Sequence, residues 1–208
     1  MRIGIFGGTF DPPHLGHLIL AAEATDQLKL DRLLWVLTPD PPHKQNQPLT
    51  PVDIRLRLVQ SALRDNPFFE MSRVDLDRPG PHYTLDTIQL IAAQYPQADL
   101  YYLIGGDSLH DFPNWFEPRK ILDAVKELIV MRRPGDEIDL SILEEQIPGI
   151  SGKLAFVEAP LLEISSHQIR RRIREKRPYR YYLLPEVHRL ISLEGYYLSE
   201  SPDEIMNP

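Results

Sequence analysis

Short apolar runs at 2–6, 33–38, 100–104, 127–131 and 154–157 alternate with stretches in which apolar residues recur every three or four positions. The runs suit strands buried on both faces, and the periodic stretches suit helices packed by one side. Leu15, Leu18, Ile19 and Ala22 give a first helical stripe. Ile54, Leu58 and Val59 give a second, with Thr50 as N-cap and Pro51 at the first helical position. Thr84 caps a helix carrying Leu85, Ile88, Ile91 and Ala92, stopped before Pro96. Pro185 opens a last helix over Leu190 and Ile191, which Gly195 can end. Strands alternating with helices predict an α/β fold with a mainly parallel sheet and helices on both faces. One domain is expected over 1–198, with a proline-rich loop from Pro39 to Pro51 and a disordered tail over 199–208.

Composition narrows the field. The 208 residues suffice for one α/β core. No apolar run is long enough for a bilayer, so no membrane partner is expected. The chain begins directly on a strand pattern, without the look of a secretory signal. The absence of cysteine rules out disulfides and thiolate metal sites and fits a cytoplasmic protein. A net charge of −7 argues against general nucleic-acid binding. Against that background Arg170, Arg171, Arg172, Arg174, Lys176, Arg177 and Arg180 crowd one segment, which suggests a local anion site or a solvated face. Assembly into a homo-oligomer stays open.

Two segments carry phosphate chemistry. Gly7 and the stretch Gly8-Thr9-Phe10-Asp11-Pro12-Pro13-His14-Leu15-Gly16-His17 follow the first strand and lead into the first helix. A strand–turn–helix junction of this kind is where open α/β sheets bind ligands. His14 and His17, three apart at a helix start, add imidazole donors to its free N–H groups and positive dipole end. The glycines let backbone approach a phosphate. A lone histidine there would only close a turn; the whole stretch reads as an anion site. Farther on, Ser165 and Gln168 form a capping-box pair, with Ile164 and Ile169 as a hydrophobic staple. Ile169 and Ile173 face the core while Arg170 and Arg174 share another face. A capped helix start with Ser165, Ser166 and a following arginine suits a polyphosphate, though alone it also fits a surface helix. Arg171 and Arg172 read as solvated.

Three further segments suggest a nucleotide and an aromatic acceptor. Gly105-Gly106-Asp107 follows the strand at 100–104, and Asp107 can accept from ribose hydroxyls. Trp115-Phe116 can stack on a heterocycle. Tyr83-Thr84 opens a helix whose N-terminus can receive a carboxylate. Taken singly, these also fit an ordinary turn, a core anchor and a plain cap.

The first stretch closely resembles the GxFxPxHxGH motif of the nucleotidyltransferase superfamily. Ile164-Ser165-Ser166-His167-Gln168-Ile169-Arg170 resembles its ISSTxIR motif, with His167 where threonine is usual. That resemblance implies a Rossmann-like, doubly wound fold and transfer of a nucleotidyl group to a phosphate-bearing acceptor. The order of all these segments is similar to the nicotinate-nucleotide adenylyltransferases, from Met1 to about Leu198. So are Ile129–Gly135 and Tyr182–Val187. By that resemblance ATP contacts Gly7, Gly8, Thr9, Phe10, His17, Gly105, Asp107, Arg133, Ser165, Ser166, Ile169 and Arg170. Nicotinate mononucleotide contacts Asp40, Lys44, Tyr83, Thr84, Asp107, Trp115 and Phe116. His14, His17, Lys44 and Arg170 carry the catalysis. Mg²⁺ is implied, bound mainly through the ATP phosphates, with no metal site of the protein's own. Pro41-Pro42-His43-Lys44 resembles a PPHK loop, but Asp40 alone separates it from Pro39, about two residues fewer than usual. The rival readings are a nicotinamide-mononucleotide adenylyltransferase, less readily a phosphopantetheine adenylyltransferase, and, outside the class, a non-catalytic nucleotide-binding regulator.

Overall fold

The protein is described by a computed structural model covering residues 1–41, 49–131, 139–160 and 162–198. Alternation along the strands sets the architecture. In β1 (Arg2–Gly8), Ile3 and Ile5 enter one core and Phe6 the other. In β2 (Arg32–Leu37), Leu34 and Val36 oppose Leu33, Trp35 and Leu37. β4 (Asp99–Gly105) and β5 (Glu127–Met131) repeat the pattern. Both faces are therefore apolar and both must be covered. With β3 (Phe69–Ser72) and β6 (Leu154–Val157) at the edges, the order is β3-β2-β1-β4-β5-β6, every pairing parallel. The doubly wound expectation holds. The strand at 69–72 is an addition, since Phe-Glu-Met-Ser on an edge needs no apolar run.

Helices α1 (Leu15–Gln27) and α2 (Val52–Leu63) cover the Trp35 face. Helices α3 (Thr84–Gln94), α4 (Gly106–Asp111), α5 (Pro118–Ala124) and α6 (Leu140–Gln146) cover the Ile3 face. A third cluster joins Ile54 and Leu58 of α2 to Ile169 and Ile173 of α7 (Ser166–Arg174) and Val187 and Ile191 of α8 (Pro185–Glu194).

Local expectations needed correction where tertiary contacts intervene. In α1 the buried residues are Gly16, Ala21 and Ala24, while Ala22 is exposed. The stripe is rotated because small residues sit deepest against the sheet, with Leu18 and Leu20 packed on the same core from its margin. Thr50 is not a cap: Pro51 is, and the Thr50 N–H donates to Asp11 Oδ2 at 3.2 Å. Tyr83, not Thr84, is the N-cap of α3. The tail at 199–208 lies outside the described residues.

Candidate active site

β1 lies between β2 and β4, so the chain changes direction of winding at its C-terminal end. The loop after Gly8 leaves at that switch point. Phe10 there has φ +44°, a costly conformation for a bulky residue. Packing over-determines it, because the ring contacts Phe6, Trp35 and His17 at centroid distances of 5.4, 4.9 and 5.2 Å. The Phe10 side chain is thus core, and only its backbone can serve a nucleotide.

His14 is the N-cap of α1. Its backbone N–H donates to His17 Nδ1 at 3.2 Å. An Nδ1 that accepts carries no proton, so the neutral His17 ring bears its hydrogen on Nε2 as a donor. The two rings stack at 3.7 Å. Gly16 makes room: a Cβ there would lie 3.0 Å from His14 Nδ1 and 3.7 Å from the Ile164 carbonyl oxygen. That second distance also brings the N-termini of α1 and α7 together.

α7 is tied to the same loop. Ser166 Oγ donates to the Pro12 carbonyl at 2.8 Å, and Arg170 Nη1 donates to the Asp11 carbonyl at 2.6 Å. Ser165 Oγ accepts the Gln168 N–H at 3.2 Å. The capping box is half formed, because Gln168 Oε1 is buried without a hydrogen-bond partner. Ile169 is fully buried between α2, α7 and α8, so its side chain cannot reach a ligand. His167 is exposed. Arg171 faces solvent near Glu175, whereas Arg172 is half-buried, donating to the Pro178 carbonyl at 3.0 Å with its guanidinium over the Tyr182 ring at 4.8 Å.

Beside this junction is a cleft of about 460 Å³. Gly7, Gly8, Thr9, Tyr83, Thr84, Trp115 and Phe116 line it, so the topology gathers seven of the expected residues. No side chain caps α3, which leaves its first N–H groups without a side-chain acceptor, an arrangement that suits an anion. The Thr84 hydroxyl lies 3.3 Å from the Tyr102 hydroxyl. Burial pushes the Tyr102 phenol up to about 12, so it stays neutral. Trp115 is both anchor and wall, packed edge-on to Tyr102 at 6.4 Å. Phe116 stacks on Tyr83 at 4.4 Å yet remains 49% exposed.

Other expected residues lie apart from the cleft. Gly105 is the N-cap of α4, with open space over its Cα. Asp107 is exposed in the first turn of α4, while Ser108 and Asp111 of the same helix line the cleft. Asp40 is exposed, and its carbonyl lies 3.3 Å from His82 Nδ1. Lys44 and Arg133 fall outside the described residues, as does the rest of the PPHK loop beyond Pro41.

Sequence reasoning missed His82, a buried wall of the cleft, and Arg55. The Arg55 guanidinium donates to the carbonyls of Thr50, Thr9, Thr38 and Pro39 at 2.7, 3.0, 3.0 and 2.8 Å. Burial lowers its pKa from the ordinary value, opposed mainly by Asp11. One signal was available: Arg55 shares a helix face with Leu58, Val59 and Ala62, so a charge interrupts an apolar stripe.

The cytidylyltransferase-like family model matches residues 5–172, and the chain belongs to that family; it is a nucleotidyltransferase. It is 44% identical over 196 residues to the probable nicotinate-nucleotide adenylyltransferase of Thermomicrobium roseum, covering 94% of this chain and 91% of that one. The nicotinate-nucleotide adenylyltransferase of Bacillus subtilis is 36% identical over 198 residues, covering 95% of this chain and 99% of that protein. The particular group is therefore the nicotinate-nucleotide adenylyltransferases. The fold is shared with Plasmodium falciparum nicotinic acid mononucleotide adenylyltransferase complexed with NaAD, with TM-score 0.76 and 21% identity over 94% of this chain and 97% of that one.

Proposed function

We propose that the protein joins the AMP moiety of ATP to nicotinate mononucleotide, giving deamido-NAD and pyrophosphate in NAD biosynthesis. The observation that carries this reading is the uncapped start of α3 sharing one cleft with Trp115 and the Gly7–Thr9 turn. A helix N-terminus suits a carboxylate, an indole suits a pyridine ring, and a glycine turn suits a phosphate. An acceptor phosphate oxygen attacks the α-phosphorus of ATP in line. The bond from that phosphorus to the bridging oxygen breaks, and pyrophosphate leaves with the electron pair. The nucleophile is already anionic, so positioning and charge stabilisation do the work. His17 donates from Nε2 to phosphate oxygen, and His14 holds the stacked partner position. Arg170, Ser165 and Ser166 hold the triphosphate end at the start of α7, with the backbone of Phe10 and Ile169. Lys44 and Arg133 belong to the same expectation, as do Gly105 and Asp107 for the nucleoside and Asp40 for the acceptor.

Among the described residues no three His, Asp, Glu or Cys side chains converge. This donor-rich set fits phosphates better than a bare cation, so Mg²⁺ would be held by phosphate oxygens and water. There it neutralises charge on the triphosphate. Among the described residues no helix is long and apolar enough to cross a membrane. A cytoplasmic location is part of the same reading, favoured by the cysteine-free composition.

The test is pyrophosphate release from ATP and Mg²⁺ with nicotinate mononucleotide, nicotinamide mononucleotide or phosphopantetheine offered separately. Release with the first alone is the expected result. Release chiefly with another acceptor would replace the assignment, and ATP binding without release would point to a regulator.

A further inference from the structure

The turn after α8 delivers a side chain into the loop that carries the histidines. Gly195 ends the helix, and two residues on Tyr197 adopts φ +69°, a costly backbone for a tyrosine. That turn buries the ring against Asp11, and the Tyr197 hydroxyl donates to Asp11 Oδ1 at 3.0 Å. Asp11 is buried as well. Its Oδ2 accepts the Thr50 N–H at 3.2 Å and lies 3.7 Å from Arg170 Nη1. One carboxylate therefore joins the C-terminal turn to an arginine of the phosphate site. Burial and the nearby Asp11 hold the Tyr197 phenol well above its usual pKa, so it remains a donor.

The contacts divide Arg170 in a telling way. Both its hydrogen bond to the Asp11 carbonyl and its approach to Oδ2 use Nη1. A guanidinium has further N–H groups on Nε and Nη2. A buried carboxylate with an unoccupied oxygen would draw those in, because the two-point pair is the strong form of this contact. Arg55 also feels Asp11, but four of its five N–H groups are committed to carbonyls. The Tyr197 hydroxyl takes one acceptor position, and the space beside it, on the oxygen that such a pair would need.

We propose that Tyr197 is a positioning residue for Arg170: by occupying Asp11 Oδ1 it keeps the guanidinium from folding onto the carboxylate, so that its remaining N–H groups serve the triphosphate. The proposal rests on the reading of Arg170 as a triphosphate ligand. Its test is calorimetric ATP binding without acceptor, together with the KM of each substrate. Tyr197→Phe should weaken ATP binding about tenfold while leaving the acceptor KM within about twofold. In an Arg170→Ala background the same change should cost less than about twofold, because the two act as one unit. Tyr196→Phe is the control on the same turn: its hydroxyl accepts from Arg57 Nη1 at 2.7 Å, away from Asp11, and ATP binding should not move. Adding Asp11→Asn to Tyr197→Phe removes the charge that captures Arg170 and should restore ATP binding to within about threefold. This double variant is read alone if Tyr197→Phe does not fold. Equal losses with and without Arg170, equal losses for both substrates, no loss at all, or a double variant as weak as Arg170→Ala would each overturn the proposal. Failure of the unaltered protein to bind ATP would instead overturn the functional reading.

Discussion

At His17 one hydrogen bond decides what the side chain can offer. The His14 N–H occupies Nδ1, so in the neutral ring Nε2 carries the hydrogen and is the donor proposed for phosphate. Loss of a donor aimed at developing transition-state charge typically costs ~10²–10³ in kcat, or ~2.7–4 kcal/mol. His17→Ala is expected to show that loss in steady-state kinetics. Its unfolding temperature should change little, because the ring is only partly buried. Near-normal kcat in the folded variant would remove His17 from the phosphate site. Arg170 and Arg171 make a sharper pair, adjacent in sequence but on different faces. Arg170→Ala should weaken ATP binding and slow turnover, whereas Arg171→Ala, at a solvated position beside Glu175, should do neither. Arg170→Lys should recover only part, since the planar fork is lost. Equal effects at the two positions would mean that the face of α7 has been misassigned.

Three helix starts, those of α1, α3 and α7, supply the proposed anion-binding elements, and they differ in how much of them the sequence reveals. Those of α1 and α7 carry side-chain motifs, so they could be read directly. That of α3 is set by what is missing: Tyr83 caps it without a side-chain bond, and the Thr84 hydroxyl turns to Tyr102. Cap positions drift by a residue wherever a tertiary partner takes the group, as Asp11 takes the Thr50 N–H. The central strands were legible because both faces are apolar, whereas edge strand β3 had no such run. Tyr102, His82 and Tyr197 carry no local signal of a site, since only the parallel topology brings them together, and Arg55 shows only as a charge in the apolar stripe of α2. The open α3 start yields a prediction about acceptor choice. A helix dipole near a carboxylate, reinforced by N–H groups, should favour nicotinate over nicotinamide mononucleotide by at least about tenfold in kcat/KM, or ~1.4 kcal/mol. Competition kinetics with the two acceptors would measure it; equal efficiency would mean that α3 does not face the carboxylate. Trp115→Ala should raise the acceptor KM far more than that of ATP, because the indole wall is in the cleft and not at the α7 junction.

Across the whole molecule a buried arginine ties together the loops around the proposed site. Arg55 reaches from α2 to the carbonyls of Thr9 after β1, of Thr38 and Pro39 after β2, and of Thr50 before its own helix. Those carbonyls lie in loops with few backbone partners, so the guanidinium replaces the ladder bonds that strands would provide. Thr9 also lines the cleft, and Pro39 precedes the loop that leads to Lys44. Replacing Arg55 with methionine keeps the stem's packing but leaves these acceptors buried without a donor, together with the neighbouring Asp11 charge. Breaking a buried polar network of this kind costs about 3–5 kcal/mol. For a chain of this size that corresponds to a fall of roughly 6–20 °C in unfolding temperature. Arg55→Met should therefore show a large drop by calorimetry, with kcat/KM reduced for both substrates even well below the transition, because the loops on either side of the cleft lose their common anchor. Arg57, two residues on, pairs with Glu194 at the surface, and Arg57→Met should cost no more than about 1 kcal/mol. Comparable losses at the two positions would show that the strapping of the loops by Arg55 does not govern stability. A destabilised Arg55→Met with unaltered kinetics at low temperature would show that the loops hold the site without it.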